Sequence, residues 1–118
     1  MPALSKDAIL GLAAPGPEVV EVPEWGGNVP VRMLTGAERD TLFSALDKNE
    51  DGSTNMRDYR ARLVAAAVVG EDGLGPMFTI AEATVLDDKQ PTAVLRLFTA
   101  AQRINMLRPG DLEAAQGN

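Results

Sequence analysis

Apolar and polar residues alternate with a period of two near the start of the chain, through residues 19–22 and again through residues 29–33. This period is typical of a half-buried β-strand. Between the two runs, residues 23–28 include Gly-Gly-Asn, which can adopt the positive φ angles of a tight turn. Residues 18–34 are therefore predicted to form a β-hairpin. Pro30 has no N–H to donate, so its strand should be a sheet edge at that point.

Helical periodicity dominates the chain after residue 34. Thr35 with Glu38, and Thr79 with Glu82, each match the Thr-x-x-Glu capping box that begins a helix. Apolar residues then recur three or four positions apart, which is the spacing of one helix face. Four helices are predicted from these patterns: residues 35–46, 55–69, 79–86 and 91–107. The second is rich in alanine and is expected to be the central packing element.

A chain of 118 residues is long enough for one small domain with its own core. The predicted fold class is α+β, mainly α, with one N-terminal β-hairpin followed by about four helices. The single domain, 1–118, divides into four parts. They are a short N-terminal helix and linker (1–17), the hairpin (18–34), the helical core (35–107) and a frayed tail (108–118).

Composition excludes several classes of function. The chain has no histidine and no cysteine, which removes the commonest general base, disulfides and thiolate zinc sites. No catalytic residue and no cofactor are predicted. A net charge of −6 disfavours nucleic acid and anionic membrane surfaces as partners. No apolar run matches a signal peptide or a membrane span, so a cytoplasmic location is expected.

The loop after the first core helix has the spacing of an EF-hand calcium site. Asp47, Asn49 and Asp51 occupy positions one, three and five, Gly52 occupies position six, and Asp58 occupies position twelve. Position eight lacks the usual aliphatic residue, and the aspartate at position twelve is shorter than the usual glutamate. Calcium binding by these residues is therefore the weaker alternative. A solvated turn-forming loop is favoured.

Other conspicuous residues have a structural explanation as well as a functional one. Trp25 at the hairpin tip could anchor a partner, but packing of its indole against the fold is slightly favoured. Arg57, Arg60 and Arg62 are interpreted mainly as a solvated helix face, and the Asp87–Asp88 pair as a helix-ending surface turn. Most methionines are expected in the core, although exposed ones would suit adaptable apolar contacts.

The segment EVPEWGG, followed by VPVRMLTGAERD, resembles the tail assembly chaperones of long-tailed, lambda-like bacteriophages and prophages. The resemblance extends over about residues 4–115. The residues that match the family pattern are 20–27, 31–40, 60–65, 71–73, 77–79 and 95–107.

This resemblance implies a non-enzymatic protein that binds the phage tape-measure protein and keeps its apolar helices soluble. It also implies recruitment of the tail-tube protein through a longer form made by ribosomal frameshifting, and it leaves room for a homo-oligomer. The protein would act in the host bacterial cytoplasm and be absent from the mature virion. Within the matching motifs, Trp25, Arg32 and Arg60 are the candidate partner-binding residues. An EF-hand-like calcium module and a small structural tail component remain open as alternatives.

Overall fold

The structure, a computed structural model, describes residues 3–107. It confirms an α+β, mainly α, fold in which a two-stranded hairpin is followed by four helices. The elements are α1 (Lys6–Leu10), β1 (Glu18–Val22), β2 (Gly27–Val31), α2 (Gly36–Ala45), α3 (Met56–Ala67), α4 (Ile80–Lys89) and α5 (Pro91–Ile104). The predicted frayed tail, 108–118, lies outside the described residues.

The hairpin forms as its valine pattern predicts. β1 and β2 are antiparallel, with Glu18 opposite Val31 and Val22 opposite Gly27. A short 3₁₀ turn, Pro23–Trp25, joins the strands and ends at Gly26, whose φ of 65° is the left-handed conformation that favours glycine. The valines on the inner face pack against α5, which provides the support that an isolated hairpin needs in water.

The second predicted helix ends two residues earlier than expected. α3 stops at Ala67, and the next two valines are extended and lie beside β2. The Arg32 N–H donates to the Ala67 carbonyl at 2.8 Å, and the Val69 N–H donates to the Pro30 carbonyl at 3.1 Å. β-branched residues accept an extended backbone readily, and the edge of β2 replaces the helical hydrogen bonds. The edge at Pro30 is therefore partly covered.

The core lies between α3, α5 and the inner face of the hairpin. Leu63 and Leu97 are the largest fully buried side chains. The Tyr59 ring lies between two phenylalanines, 5.3 Å from Phe98 in an edge-on arrangement and 6.2 Å from Phe43. α3 is central as predicted, but α5 shares that role because it contacts α3, α4 and both strands.

The prediction that Asp87 lies in a surface turn is wrong. α4 continues to Lys89, and Asp87 within it is only 8% exposed. The Arg60 guanidinium donates to both oxygens of this carboxylate, from Nε at 3.0 Å and from Nη2 at 2.9 Å. Two charge-assisted hydrogen bonds compensate much of the cost of removing a carboxylate from water. Arg60 therefore joins α3 to α4 and is more than a solvated residue.

The prediction that most methionines lie in the core is also wrong. Met33, Met56, Met77 and Met106 are all exposed, at 45%, 48%, 38% and 66%. For Met33 the reason is that β2 ends at Val31, so the alternation of inward and outward residues stops there.

In the part of the chain that is described, no helix combines the length and the apolar character needed to cross a bilayer.

Candidate functional site

An open apolar groove lies between α2 and α3, and the residues before and at the start of α4 complete its lining. Its volume is about 660 Å³. We call it the α2–α3 groove. Its apolar lining residues are Ala37, Leu42, Ala45, Ala65, Ala66, Pro76, Phe78 and Ile80. This surface is the strongest candidate for a binding site among the described residues.

Small side chains from both helices line the groove. Leu42 and Ala65 are buried and form its floor, whereas Ala37, Ala45 and Ile80 are exposed along its sides. α2 and α3 make few close backbone contacts with each other, so the gap between them stays open to solvent. The arrangement offers an apolar surface to a partner that can approach both helices closely.

An ion pair borders the groove. Arg32 donates from both Nη atoms to the two Glu38 oxygens at 2.8 Å, and its Nε donates to the Ala66 carbonyl at 3.1 Å. Glu38 also accepts the Thr35 N–H at 2.8 Å as part of the predicted capping box. The Arg32 guanidinium, and after it the Thr35 amide, lower the pKa of Glu38 to about 2. This pairing attaches the end of the hairpin to the start of α2.

Glu38→Gln will lower the free energy of unfolding at pH 7 by about 1 kcal/mol. This figure allows for solvent screening of a side chain that is 41% exposed. Because folding lowers the pKa of Glu38, its stabilisation is present above about pH 4.5 and disappears as the pH falls towards 2. Urea unfolding of the wild type and the variant at several pH values will measure this difference.

The matched control for this prediction is Glu82→Gln, at the same position of the second capping box. Glutamine can preserve much of a capping box, so the control should lose only about 0.3 kcal/mol. A Glu38→Gln penalty that stays constant from pH 7 to pH 2 would contradict the role given to the Arg32–Glu38 pair.

The structure places the three candidate partner-binding residues in different environments. Arg32 lines the α2–α3 groove. The Trp25 indole N–H donates to Gln90 Oε1 at 2.5 Å, and its half-buried ring packs against the core. Arg60 is directed to α4 through its pair with Asp87. Of the three, only Arg32 is therefore part of the groove, and the structural interpretation of Trp25 fits the geometry better.

The side chains of the EF-hand-like loop mainly bond to the loop itself. Asp51 Oδ1 accepts from the Ser53 hydroxyl at 2.5 Å and from the Ser53 N–H at 2.9 Å, and these two bonds lower the pKa of Asp51. Asn49 Nδ2 donates to Ser53 Oγ at 3.0 Å. Asp58 Oδ2 accepts hydrogen bonds from the Asp47 N–H and from Arg62 Nε, each at 2.9 Å. Between residues 3 and 107, no three acidic groups converge as metal ligands would. The geometry is that of a closed inter-helix loop.

Sequence reasoning missed the groove, although one signal was present. Ala37 and Ala45 lie eight residues apart and so share one face of α2, next to the face that carries Leu42. Nothing in this spacing identifies α3 as the element across the gap, because the two helices meet only through tertiary packing. Searches with the whole chain against protein-family models, curated proteins and solved structures give no match.

Proposed function

We propose that this protein is a non-enzymatic phage tail assembly chaperone that binds an apolar helical segment of the tape-measure protein in the α2–α3 groove. It acts in the host bacterial cytoplasm and leaves before the virion is complete. A longer, frameshifted form of the chain recruits the tail-tube protein. The observation that carries this proposal is the open apolar groove between two helices, together with the sequence resemblance centred on residues 18–40.

The groove has the properties required to bind a helix. An amphipathic helix places anchors at positions i, i+3, i+4 and i+7 into an apolar groove. The alanines of α2 and α3 let the backbone of such a helix approach closely. A tape-measure helix that is apolar on one face and not yet packed in a tail supplies anchors of this kind.

The binding energy expected from the groove suits a chaperone that must release its client. Two or three buried anchors contribute about 2 kcal/mol each, and association offsets part of this gain. Even before this offset, a gain of about 4–6 kcal/mol corresponds to a Kd between about 40 µM and 1 mM, so one site binds weakly. The net charge of −6 helps to keep the complex soluble while apolar client segments are bound.

Co-expression with the tape-measure protein of the phage genome that encodes this chain tests the proposal. The tape-measure protein should be insoluble alone, and it should become soluble and co-purify when this protein is present. Failure of the wild-type protein to solubilise or co-purify with it would overturn the chaperone function. Mass spectrometry of purified virions provides a second test, because stoichiometric amounts of this protein there would indicate a structural tail component instead.

Ile80→Asp will weaken tape-measure binding by roughly tenfold or more, since it puts a charge beside an apolar anchor. Ile80 is 42% exposed and begins α4, where an aspartate is compatible with the helix dipole, so the variant should fold. Pull-down titration with purified tape-measure fragments will measure the change.

The matched control is Val85→Asp, which changes a 51% exposed apolar residue on the same helix but outside the groove lining. Its binding should stay within about twofold of wild type. If both variants bind the client equally well and the wild type binds normally, the client site lies outside the groove.

A further inference from the structure

The backbone of β1 has one edge that the hairpin does not use. The Pro30 carbonyl accepts the Val69 N–H, so the backbone groups of Pro30 point away from β1. Val19 is opposite Pro30. Because hydrogen-bonded and non-hydrogen-bonded pairs alternate along an antiparallel ladder, Val19 and Glu21 direct their N–H and C=O groups outward, away from β2.

The described part of the chain leaves this edge of β1 open. Between residues 3 and 107, no hydrogen bond reaches the outward backbone groups of Val19 or Glu21, and both side chains are exposed. Residues 3–17 are exposed as well, and their backbone hydrogen bonds stay within residues 5–12. The far edge of the hairpin is already bonded to residues 67–69. The side of the sheet that is free to accept another strand is therefore the side of β1.

We propose that β1 pairs with β1 of a second copy of this chain, antiparallel and about a two-fold axis beside Val20. The result is a four-stranded sheet in which β2 of each copy lies on the outside. Val19 of one copy then lies opposite Glu21 of the other, twice by symmetry. Each such pair exchanges two hydrogen bonds between N–H and C=O, so four hydrogen bonds use all the outward groups of both strands.

Two prolines select this register. Pro17 precedes β1 and Pro23 follows it, and neither has an N–H to donate. Sliding the second copy by two residues in either direction places one of these prolines opposite an outward residue, whose carbonyl then lacks a donor. A slide by one residue sets outward groups against groups that already bond to β2. Centring on Val20 is therefore the register in which every outward group of β1 has a partner within β1.

The same register keeps the charges of the two strands apart. Glu18 lies opposite Val22 of the second copy, and Glu21 lies opposite Val19, so no carboxylate faces another directly. Like charges directly opposite each other would destabilise the pairing. Glu18 is also held in an ion pair with Arg103 of its own α5. The two Glu21 side chains are diagonal neighbours on the exposed face, where salt screens their repulsion.

Pairing through β1 closes at two copies. Each copy contributes one free edge, and the two-fold axis uses both. The residues of α3 that line the groove precede residues 67–69, which lie on the opposite side of β2 from β1. The dimer contact is therefore separate from the groove. Four hydrogen bonds with little apolar area make a weak dimer, with a Kd on the order of 0.1–1 mM.

Concentration-dependent amide exchange tests this pairing on the wild-type protein. The Val19 and Glu21 amides should exchange with water about two- to threefold more slowly at about 2 mM protein than at about 0.1 mM, because an acceptor protects them only in the dimer. The Asn28 amide is the internal control. It lies in β2 opposite Glu21 and points away from β1, so its exchange should be the same at both concentrations. NMR measures all three amides in one sample.

Val19→Pro removes an outward N–H of β1 and should weaken dimerisation at least about tenfold in sedimentation equilibrium. The hairpin should tolerate this change, because Pro30 already occupies the facing position in β2. The matched control is Asn28→Pro, which removes an outward N–H from the other strand and should leave the dimer unchanged. Urea unfolding of both variants will show whether each keeps its fold, and the exchange measurement stands without them.

Three results would overturn the proposal. A protein that is monomeric at about 2 mM has no such contact. A dimer that leaves the Val19 and Glu21 amides unprotected, or that folded Val19→Pro still forms, uses another surface. Protection of these amides only in the presence of a tape-measure fragment would assign the edge to an extended client segment. The dimer is measured without the tape-measure protein, so it and the chaperone function can fail independently.

Discussion

Asp87→Ala will destabilise the protein by about 3 kcal/mol, because it leaves a partly buried arginine without its partner. The Arg60–Asp87 pair joins α3 to α4 through two hydrogen bonds, and the side chains are only 26% and 7% exposed. The loss combines an unpaired guanidinium with the space left by the carboxylate. For a chain of this size, the expected fall in Tm is on the order of 10 °C.

The neighbouring residue provides the control for this prediction. Asp88 also pairs with an arginine of α3, Arg57, but the two side chains are 60% and 53% exposed. Exposed pairs contribute little, so Asp88→Ala should change the free energy of unfolding by less than about 0.5 kcal/mol. Urea unfolding of both variants at pH 7 measures the contrast. Similar losses in the two would show that burial does not govern the strength of these pairs.

Asn105→Ala will lower the free energy of unfolding by about 2–3 kcal/mol, since it leaves the backbone N–H of Leu34 without its acceptor. Asn105 is 3% exposed, and its Oδ1 accepts the Leu34 N–H at 2.7 Å. Its Nδ2 donates to the Ala101 carbonyl at 2.9 Å and to the Arg32 carbonyl at 3.3 Å. One side chain thus holds the connection between β2 and α2 against the end of α5.

Hydrogen exchange gives this second prediction a specific readout. In Asn105→Ala, the Leu34 amide should exchange faster, by more than the global loss of stability explains, because its acceptor is gone. Gln102→Ala removes a half-exposed amide from the same helix end and should cost less than about 0.5 kcal/mol. An Asn105→Ala protein with wild-type stability and a protected Leu34 amide would refute the role given to this network.

The network at Asn105 also matters for the groove. The Arg39 side chain of α2 donates from Nη1 to the Asn105 carbonyl at 3.1 Å, so α2 is attached at its start to the end of α5. Together with the Phe43–Tyr59 contact, this attachment holds α2 beside α3 with the gap between them open. Under the proposed function, loosening this attachment should therefore weaken client binding as well as lower the stability.

Local sequence was enough to predict the hairpin and where the helices of the core begin. The two Thr-x-x-Glu boxes begin α2 and α4 where predicted, because capping involves groups only three residues apart. The valine alternation identified the hairpin, and Pro91 began α5 at the position where a missing N–H costs nothing. Each of these signals acts within one turn or one strand pair, so it can be recognised without knowing what lies across the core.

The errors share a different cause. Val68 and Val69 followed a helical pattern, but the edge of β2, more than thirty residues earlier in the chain, offered them an extended pairing. Asp87 looked like a surface residue until the fold placed Arg60 beside it. In both cases a partner distant in the sequence decided the outcome, and no local pattern records which partner will be close.

The candidate site was likewise predictable from the sequence only in part. Sequence alone determined which residues are small or apolar on α2, α3 and α4. Arg32 is one of the partner-binding candidates that the resemblance predicted. Only the tertiary structure decided that these faces border one open groove while the side chains of α1 stay unpacked. The physical reason is that alanine spacing sets the shape of each helix face separately. A groove exists only once long-range packing, through Phe43, Asn105 and Arg32, holds two such faces apart.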